Sequence, residues 1–406
     1  MNVRRSAAVL AAVAVIGAAT PAAAAPSPSP SQAFPSALYG GTDPKYDGVW
    51  RQSLALLAQD TVGVKPAAKS VQWLARQQCA DGSFASYRPD PTTPCDAKTM
   101  RDTNATSAAV QALTALGGHD DVTGKAVGWL KSVQNKDGGW GYSPGGASDT
   151  NSTSIVTGAL AAVGDKPGQV EKDGKSPYDA LLKLALPCGG DGGGAFAFQP
   201  DKKGELAANA DATAAGVLGA LGKGMVVEPG EKAAEKSDAT CEKAATPQQA
   251  AANGAGYLTT ALSEDGNHLM SALAGAEPQP DFGNTADAVV ALAALGETAQ
   301  AEKSVRWLEK NSASWAAQSG PAAYAQLILA AHATGTNPRD FGGADLVKQL
   351  GATGPAPQTA EKTKAAEEKK DSGSDFFGVW WYVGVCLVAG IGIGFLFTGR
   401  KKQQQL

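Results

Sequence analysis

The feature that most constrains the fold of this chain is an internal repeat that runs from residue 50 to residue 350. Two helical patterns alternate along it. The first is rich in Ala, Gly, Ser and Thr and closes on glycine. Its copies are residues 50–63, 104–117, 151–164, 209–222, 284–296 and 321–335. Asn or Asp at the start is a favoured N-cap and glycine at the end a favoured C-cap, so these copies predict complete helices.

The second pattern lies between copies of the first and carries more charge and one large anchoring side chain. The anchors are Trp73, Trp129, Leu182, Tyr257 and Trp307. Small side chains suit a crowded interior and charge suits a surface, so the two patterns predict inner and outer helices. Residues 50–63 lack a preceding outer helix, and residues 344–350 lack a following inner one. Pairing these two predicts a closed, all-α ring of six helical hairpins.

A short motif, Gln-x-x-x-Gly-x-Trp/Phe, follows the outer helices. It is complete at residues 134–140, has Phe at its end in residues 78–84, and is degenerate near residues 191–196 and 265–266. The motif resembles the QW repeat of the prenyltransferase/squalene-cyclase superfamily. That resemblance implies an α/α toroid over residues 39–350. It leaves the function open, because this toroid hosts cyclases, transferases and pure binding proteins.

Both ends of the chain carry patterns typical of membrane targeting. Residues 1–24 combine two arginines, a short apolar run and small residues before a cleavage point, which predicts a secretory signal peptide. Residues 25–38 form a Pro/Ser-rich linker. Residues 376–397 hold no charged side chain and begin with clustered aromatic residues, which predicts one transmembrane helix. The basic tail, residues 398–406, then predicts a cytoplasmic C-terminus and an extracellular ring at the cell membrane.

Residues 351–375, between the ring and this helix, are rich in Lys, Glu, Ala, Pro and Thr. They have too few large apolar side chains to build a core, which predicts a flexible stalk. One alternative stays open for this end. Residues 350–354 resemble a sortase sorting signal, which would attach the chain to a cell wall. In such signals the apolar segment follows more closely, so the membrane helix is favoured.

The cysteines divide into two groups. Cys386 lies in the predicted membrane segment and is interpreted as an apolar filler. The other four form an even set, which favours disulfides in an exported domain. Of the three possible pairings we expect Cys79–Cys95 and Cys188–Cys241, because each pair brackets one loop within one repeat.

The sequence holds no known catalytic motif of toroid enzymes. The Asp-x-Asp-Asp cluster of protonating cyclases, the Asp-Asp-x-x-Asp cluster of magnesium-dependent prenyl chemistry and the Gly-Cys-Gly-Glu-Gln run of thioester proteins are missing. His119, His268 and His332 lie apart from the cysteines, which disfavours a zinc site. A net charge of −4 disfavours a general nucleic-acid surface. We predict no metal, cofactor or catalytic residue, while an enzyme built from distant carboxylates stays open.

The starts of the inner helices are polar and unusually alike, as in residues 102–107 and 149–154. N-capping explains part of this similarity, and a polar ring that faces one pocket explains the rest. The predicted ligand-binding residues are Asp102, Asn104, Thr106, Asp149, Asn151, Thr153, Asn209, Asp211, Asn284 and Asp287, with the loop aromatics Trp140 and Tyr142. Phe84, Tyr87, Phe198 and Phe282 are further candidates for the wall of the mouth. Such groups suit a small molecule rich in amides or hydroxyls.

A non-catalytic extracellular toroid of this kind is similar to the cobalamin carriers of the intrinsic-factor and transcobalamin family. The resemblance implies capture of cobalamin or a related corrinoid as a bound ligand. Those carriers add a β domain that closes over the ligand, and here the stalk follows the ring directly. A single toroid would then bind more weakly, or a membrane partner such as a transporter would supply the lid. Two alternatives stay open: a surface module that binds glycan or cell-wall polymer, and a terpene-cyclase-like or prenyl-lipid-processing enzyme.

Overall fold

The structure, a computed structural model, describes residues 35–230, 241–271 and 277–358. Within them the regular secondary structure is almost all helical, joined by long irregular connections, with one 3₁₀-helix at Pro167–Gln169 and two short antiparallel strands, β1 (Leu269–Met270) and β2 (Pro280–Asp281). The helices are α1 (Gly48–Thr61), α2 (Ala68–Arg76), α3 (Thr103–Leu116), α4 (Asp120–Ser132), α5 (Thr150–Ala162), α6 (Pro177–Leu184), α7 (Ala210–Ala220), α8 (Pro247–Glu264), α9 (Phe282–Leu295), α10 (Thr298–Asn311), α11 (Ala313–Ser319), α12 (Pro321–Ala333) and α13 (Leu346–Ala352).

Six of these helices form a closed inner ring. In ring order they are α1, α3, α5, α7, α9 and α12, and each packs against the next. The ring closes because α12 packs against α1. The bounds of all six lie within two residues of the inner helices expected from the sequence. Their buried faces are rich in Ala, Gly, Ser and Thr, which lets neighbouring backbones approach closely.

Each outer helix packs most closely on the inner helix that precedes it. The hairpins of the described chain are α1–α2, α3–α4, α5–α6, α7–α8, α9–α10 and α12–α13. The expected pairing of the first inner helix with the last outer helix is therefore wrong, because α2 covers α1 and α13 covers α12. The two ends of the described ring still meet through hydrogen bonds. Gly40 N–H donates to the Thr353 carbonyl at 2.8 Å, and the Tyr39 hydroxyl donates to the Pro355 carbonyl at 3.1 Å.

The glycines that close the inner pattern end the helices as predicted. Gly63, Gly117, Gly164, Gly222, Gly296 and Gly335 have φ between 66° and 83°, the left-handed region that glycine enters without steric cost. The helix starts differ from expectation. The N-caps of α3, α5 and α9 are Asp102, Asp149 and Asp281, two or three residues before the asparagine expected to open each copy.

The Gln-x-x-x-Gly-x-Trp/Phe turns join one repeat to the next. The Gln134 amide donates to the Gly138 carbonyl of its own turn at 2.8 Å and to the Val170 carbonyl of the next repeat at 3.1 Å. Gln78 makes the two equivalent bonds in the first repeat. Gly138 has a φ of +91° and lies against the Ser176 carbonyl, where no side chain fits. The motif is therefore a structural link between repeats.

Both predicted disulfides are present. Cys79–Cys95 and Cys188–Cys241 each join Cα atoms 5.6 Å apart. The first closes a loop of 16 residues and the second a loop of 53. Cys79–Cys95 lies within the connection between α2 and α3. Cys188–Cys241 instead encloses α7, because it joins the connection after α6 to the connection before α8.

We expect the double substitution Cys79→Ser/Cys95→Ser to lower the free energy of unfolding by about 3 kcal/mol, because the open loop gains freedom in the unfolded chain. Urea unfolding followed by circular dichroism measures the loss. Cys386→Ala is the matched control, since that cysteine has no partner in the predicted pairing. A loss below about 1 kcal/mol would contradict a stabilising role for this bond.

Several expectations concern residues outside the described ranges. The signal peptide at residues 1–24, the membrane helix at 376–397 and the tail at 398–406 stay predictions. Among the described helices, none has the length and apolar character needed to cross a bilayer. The ring extends beyond its expected end at residue 350, because α13 reaches Ala352 and the Gln358 amide donates to the Pro66 carbonyl at 2.8 Å.

Candidate ligand-binding site

Four inner helices begin with the same hydrogen-bonded arrangement. In α3 the Asp102 carboxylate accepts from Ala105 N–H at 2.8 Å, and Thr106 Oγ1 accepts from Phe84 N–H of the preceding turn at 2.9 Å. The same cap and the same turn-to-threonine bond recur in α5, α7 and α9. Their pairs are Asp149 with Thr153, Asn209 with Thr213, and Asp281 with Thr285. Hydrogen bonds from the segment before each helix therefore hold the four helix starts in place at one end of the ring, which we call the mouth.

This arrangement gives structural roles to five of the predicted ligand-binding residues. The side chains of Asp102, Asp149 and Asn209 are occupied as N-caps. Thr106 and Thr153 are 0 % exposed, and their hydroxyls accept bonds from the preceding turns. These five residues support the mouth and have little accessible surface for a ligand.

The structure places Trp140 in the core instead of at the wall of the mouth. Its side chain is 1 % exposed, and the indole N–H donates to the Leu130 carbonyl at 2.7 Å. Phe84, at the same motif position in the first repeat, is also fully buried. The aromatic side chain of the motif packs into the core beneath its turn. Neither ring is therefore accessible to a ligand.

Tyr142 and Phe198 do lie at the rim of the mouth. They are 46 % and 45 % exposed. Their carbonyls accept from Thr103 N–H at 2.9 Å and from Thr150 N–H at 3.0 Å, so each loop sits over the start of an inner helix. The Tyr142 hydroxyl also donates to Asp102 Oδ2 at 2.7 Å.

Two layers of side chains line the ring just below the mouth. The upper layer is the second residue of five inner helices: Asn104, Asn151, Asp211, Gly283 and Ala322. The lower layer lies one turn further along four of them: Ile155, Ala215, Asp287 and Gln326. All nine positions keep partial solvent access, whereas most residues between them are buried. The inner helices therefore surround a solvent-accessible lumen at this end.

The opposite end of the lumen is crossed by residues 222–230, which follow α7. Met225 N–H donates to Gln111 Oε1 of α3 at 2.9 Å. Gly224 lies against Gly158 of α5, where an added Cβ would come within 2.8 Å of the Gly224 Cα. Beyond them, the Glu228 carboxylate lies 3.4 Å from His332 Nε2 of α12. Because these partners stand on different sides of the ring, the segment covers its far end.

Asn104 and Asn151 each carry a buried side-chain oxygen, Oδ1, without a hydrogen-bond partner among the described residues. They stand two turns before Gln111 and Gly158, which contact the crossing segment, so they share the face that points into the lumen. Asn151 Nδ2 donates to Asp211 Oδ2 at 2.8 Å. A carboxylate only accepts, so this bond identifies Oδ1 as the unpaired atom of Asn151. An unpaired buried acceptor costs about 1–3 kcal/mol.

Carboxyl groups gather on the α7–α9 side of the lumen. Burial, reinforced by the charges of Asp211 and Asp281, raises the pKa of Asp287 to about 7. Gln326 Nε2 opposes this by donating to both Asp287 oxygens, at 3.1 and 3.3 Å. Burial also raises the pKa of Asp211, and the bond from Asn151 opposes that shift. Among the described residues, the groups that act on these two carboxyls are acids and amides, so this wall is rich in acceptors.

Burial likewise raises the pKa of Asp149, at the neighbouring helix start. Despite this concentration of acids, no group of three or more His, Cys, Asp or Glu in the described ranges has an arrangement that could hold a metal ion. The lumen wall therefore offers carboxyl and amide groups for hydrogen bonding.

Two residues of this wall were missed by sequence reasoning. Asp281 had a usable signal, because it stands four residues before Thr285, as Asp102 stands before Thr106. Asn284, which was predicted, supports that cap by donating from Nδ2 to Asp281 Oδ2 at 2.7 Å. Gln326 had no such signal, because α12 begins at a Gly-Pro pair without a polar cap.

Comparisons with known proteins agree with this fold over part of the chain. Residues 50–186 match the family model for the prenyltransferase alpha-alpha toroid domain. This match spans the first three hairpins and supports the predicted superfamily resemblance. A stretch of 80 residues is 38% identical to drimenyl diphosphate synthase from Streptantibioticus cattleyicolor, and it covers 20% of this chain and 13% of that protein.

A crystal structure of a protein from Actinoplanes aligns with 70% of this chain and 100% of its own, at 16% identity and a TM-score of 0.33. The match over residues 50–186 supports the toroid, while a similarity to cobalamin carriers is not shown.

Proposed function

We propose that the ring captures a small molecule rich in N–H or O–H donors, which binds in the lumen below the mouth. The observation that carries this proposal is the pair of buried, unpaired oxygens on Asn104 and Asn151. These oxygens have almost no accessible surface, while the side chains that carry them keep partial solvent access, so a ligand reaches the oxygens by turning the two amides towards the lumen. A ligand that donates to both then removes their desolvation penalty, which provides a driving force for binding. The carboxyl groups of Asp211 and Asp287 add acceptors beside them.

Corrinoids are the specific ligands that we propose. Cobalamin carries carboxamide side chains around its ring, so it supplies N–H donors in several directions at once. The sequence patterns at residues 1–24 and 376–397 favour capture outside the cell, next to the membrane. A membrane transporter is the partner that this location suggests.

We expect full-length protein in detergent to bind cyanocobalamin one-to-one in a titration followed by visible absorbance. Asn104→Ala/Asn151→Ala should weaken binding at least tenfold, about 1.4 kcal/mol, because it removes both unpaired acceptors. Asn311→Ala, at the exposed end of α10, is the matched control and should bind like wild type. Absence of binding at high micromolar ligand would contradict the corrinoid proposal, and equal affinity of the double variant would contradict the site.

Terpenoid processing is the second candidate, favoured by one observation. A carboxyl whose pKa is about 7, as for Asp287, keeps a proton near neutral pH and can act as an acid. Against it, the carboxylates around the lumen repel a diphosphate. A parallel titration with farnesyl diphosphate separates the two candidates, since saturable binding with conversion to a new product would favour this enzyme over capture.

A further inference from the structure

The upper layer of the lumen is completed by Trp50 on α1. Trp50 stands as many residues before its closing glycine, Gly63, as Asn104 stands before Gly117. Because α1 packs against α3, the two side chains lie at the same level of neighbouring inner helices. Trp50 keeps partial solvent access, like the other members of this layer.

Contacts on the outer side of α1 fix the direction of the Trp50 side chain. Gln52 Nε2 donates to the Ser70 carbonyl of the covering helix α2 at 3.1 Å. Gln59, two turns later on the same face, accepts from the Tyr39 hydroxyl at 3.2 Å. Two residues along an α-helix rotate a side chain by about 200°. Trp50 therefore points away from α2, towards the lumen.

The indole N–H of Trp50 is an unpaired donor that solvent reaches. It makes no hydrogen bond with the described residues, and it is not one of their buried atoms that lack a partner. A ligand oxygen, which is similar in size to a water molecule, therefore reaches it as well. The rest of the ring packs against the core, which holds the N–H in place for a ligand. Leu54 and Leu57, further along the same face, are buried, so this N–H is the polar group at that side of the lumen.

Asn104 places a group of the opposite kind next to this donor. Its Oδ1 is a buried acceptor without a partner among the described residues. The Trp50 N–H does not bond to it, so neither atom satisfies the other. A ligand group between the two helices that carries a carbonyl oxygen next to an N–H would pair with both atoms, once the Asn104 amide turns towards the lumen.

From this juxtaposition we infer that Trp50 and Asn104 form a subsite for an amide group that carries at least one N–H. The ligand carbonyl accepts from the Trp50 indole N–H, and the ligand N–H donates to Asn104 Oδ1. A tertiary amide has no N–H, and a carboxylate presents a second acceptor to Asn104 Oδ1, so the pair disfavours both. This inference rests on the proposed function, because it assigns one part of the same lumen site.

The probes are 2-piperidone, a cyclic amide with one N–H, and N-methyl-2-piperidone, which has none. Full-length protein with isotope-labelled tryptophan reports binding through its indole N–H signals in NMR, and the variant Trp50→Phe identifies the Trp50 signal by its loss. We expect 2-piperidone to bind saturably and to move that signal downfield, because the N–H gains an acceptor. The N-methyl analogue should bind at least about fivefold more weakly, because it has no donor for Asn104.

Trp50→Phe also tests the donor itself, because it keeps an aromatic ring and removes the N–H. In saturation-transfer NMR it should weaken 2-piperidone binding at least about fivefold, with the thermal midpoint as the check on folding. Trp129→Phe, on the outer helix α4, is the matched control and should leave the affinity unchanged. Asn104→Ala should remove the preference for 2-piperidone over its N-methyl analogue. Absence of 2-piperidone binding, wild-type affinity in Trp50→Phe, or a preference that persists in Asn104→Ala would each overturn the subsite.

Failure of the subsite and failure of the proposed function are separable. If Asn104→Ala/Asn151→Ala weakens cyanocobalamin binding and Trp50→Phe binds 2-piperidone like wild type, the lumen site stands and the subsite is wrong. If cyanocobalamin does not bind and 2-piperidone binding depends on Trp50 and Asn104, the subsite stands and the corrinoid proposal is wrong.

Discussion

Replacing Trp140 with alanine is expected to lower the free energy of unfolding by about 4 kcal/mol. The indole is 1 % exposed and fills the interior beneath the second motif turn. Truncation leaves a cavity and also leaves the Leu130 carbonyl without the bond from the indole N–H. Guanidinium unfolding followed by far-ultraviolet circular dichroism measures the loss without relying on tryptophan fluorescence.

Trp140→Phe is the matched variant for this prediction. The first repeat already has Phe84 at the equivalent position, so a phenyl ring fits the same kind of turn. We expect this variant to keep more than half of the stability that alanine loses, because it retains most of the buried ring. If alanine lowers stability by less than about 1 kcal/mol, Trp140 does not anchor the turn.

Asp287→Asn is expected to stabilise the protein at alkaline pH and to leave it unchanged at acidic pH. The native pKa is raised to about 7 from an ordinary value of 3.8, chiefly by burial. At a pH below 3.8 both the native and the unfolded state hold this proton, so ionisation of Asp287 does not destabilise the native state. As pH rises towards 7 the unfolded state releases the proton first, which destabilises the native state by up to about 4 kcal/mol.

The asparagine amide does not titrate in this range, so the variant avoids the penalty. The difference in unfolding free energy between Asp287→Asn and wild type should therefore increase between about pH 4 and pH 7. It should stay constant above about pH 8. Urea unfolding at pH 4, 6 and 8 measures it. Asp340→Asn, at an exposed position, should follow the wild-type curve. Parallel curves for Asp287→Asn and wild type would show that Asp287 is not desolvated in the lumen.

The inner ring was predictable because its physical requirements repeat along the sequence. Each copy needs small residues for close packing and glycine for a left-handed end, and those signals lie within the copy itself. The Cys79–Cys95 pairing followed from a similarly local signal, since both cysteines lie in the connection between α2 and α3. The Cys188–Cys241 pairing was also predicted, although that bond spans the inner helix α7. The sequence did not show which outer helix pairs with the first inner helix and which with the last. Tertiary packing decides the hairpins α1–α2 and α12–α13.

The site was predicted only in part. Asn104, Asn151, Asp211 and Asp287 were identified, because polar residues at helix starts stand out in an alanine-rich chain. Trp140 was misplaced because the sequence does not show that the motif turn folds its ring inward. Gln326 enters the site from α12, far along the chain from Asp287, and no local pattern indicates that contact.

The central claim is that donors of a bound ligand satisfy the unpaired oxygens of Asn104 and Asn151, and a crystal structure of the full-length protein with cyanocobalamin tests it most directly. The account predicts a corrinoid in the mouth of the lumen, with carboxamide N–H groups within about 3 Å of both Oδ1 atoms. A corrinoid on the outer surface, or one in the lumen with neither oxygen bonded, would contradict it.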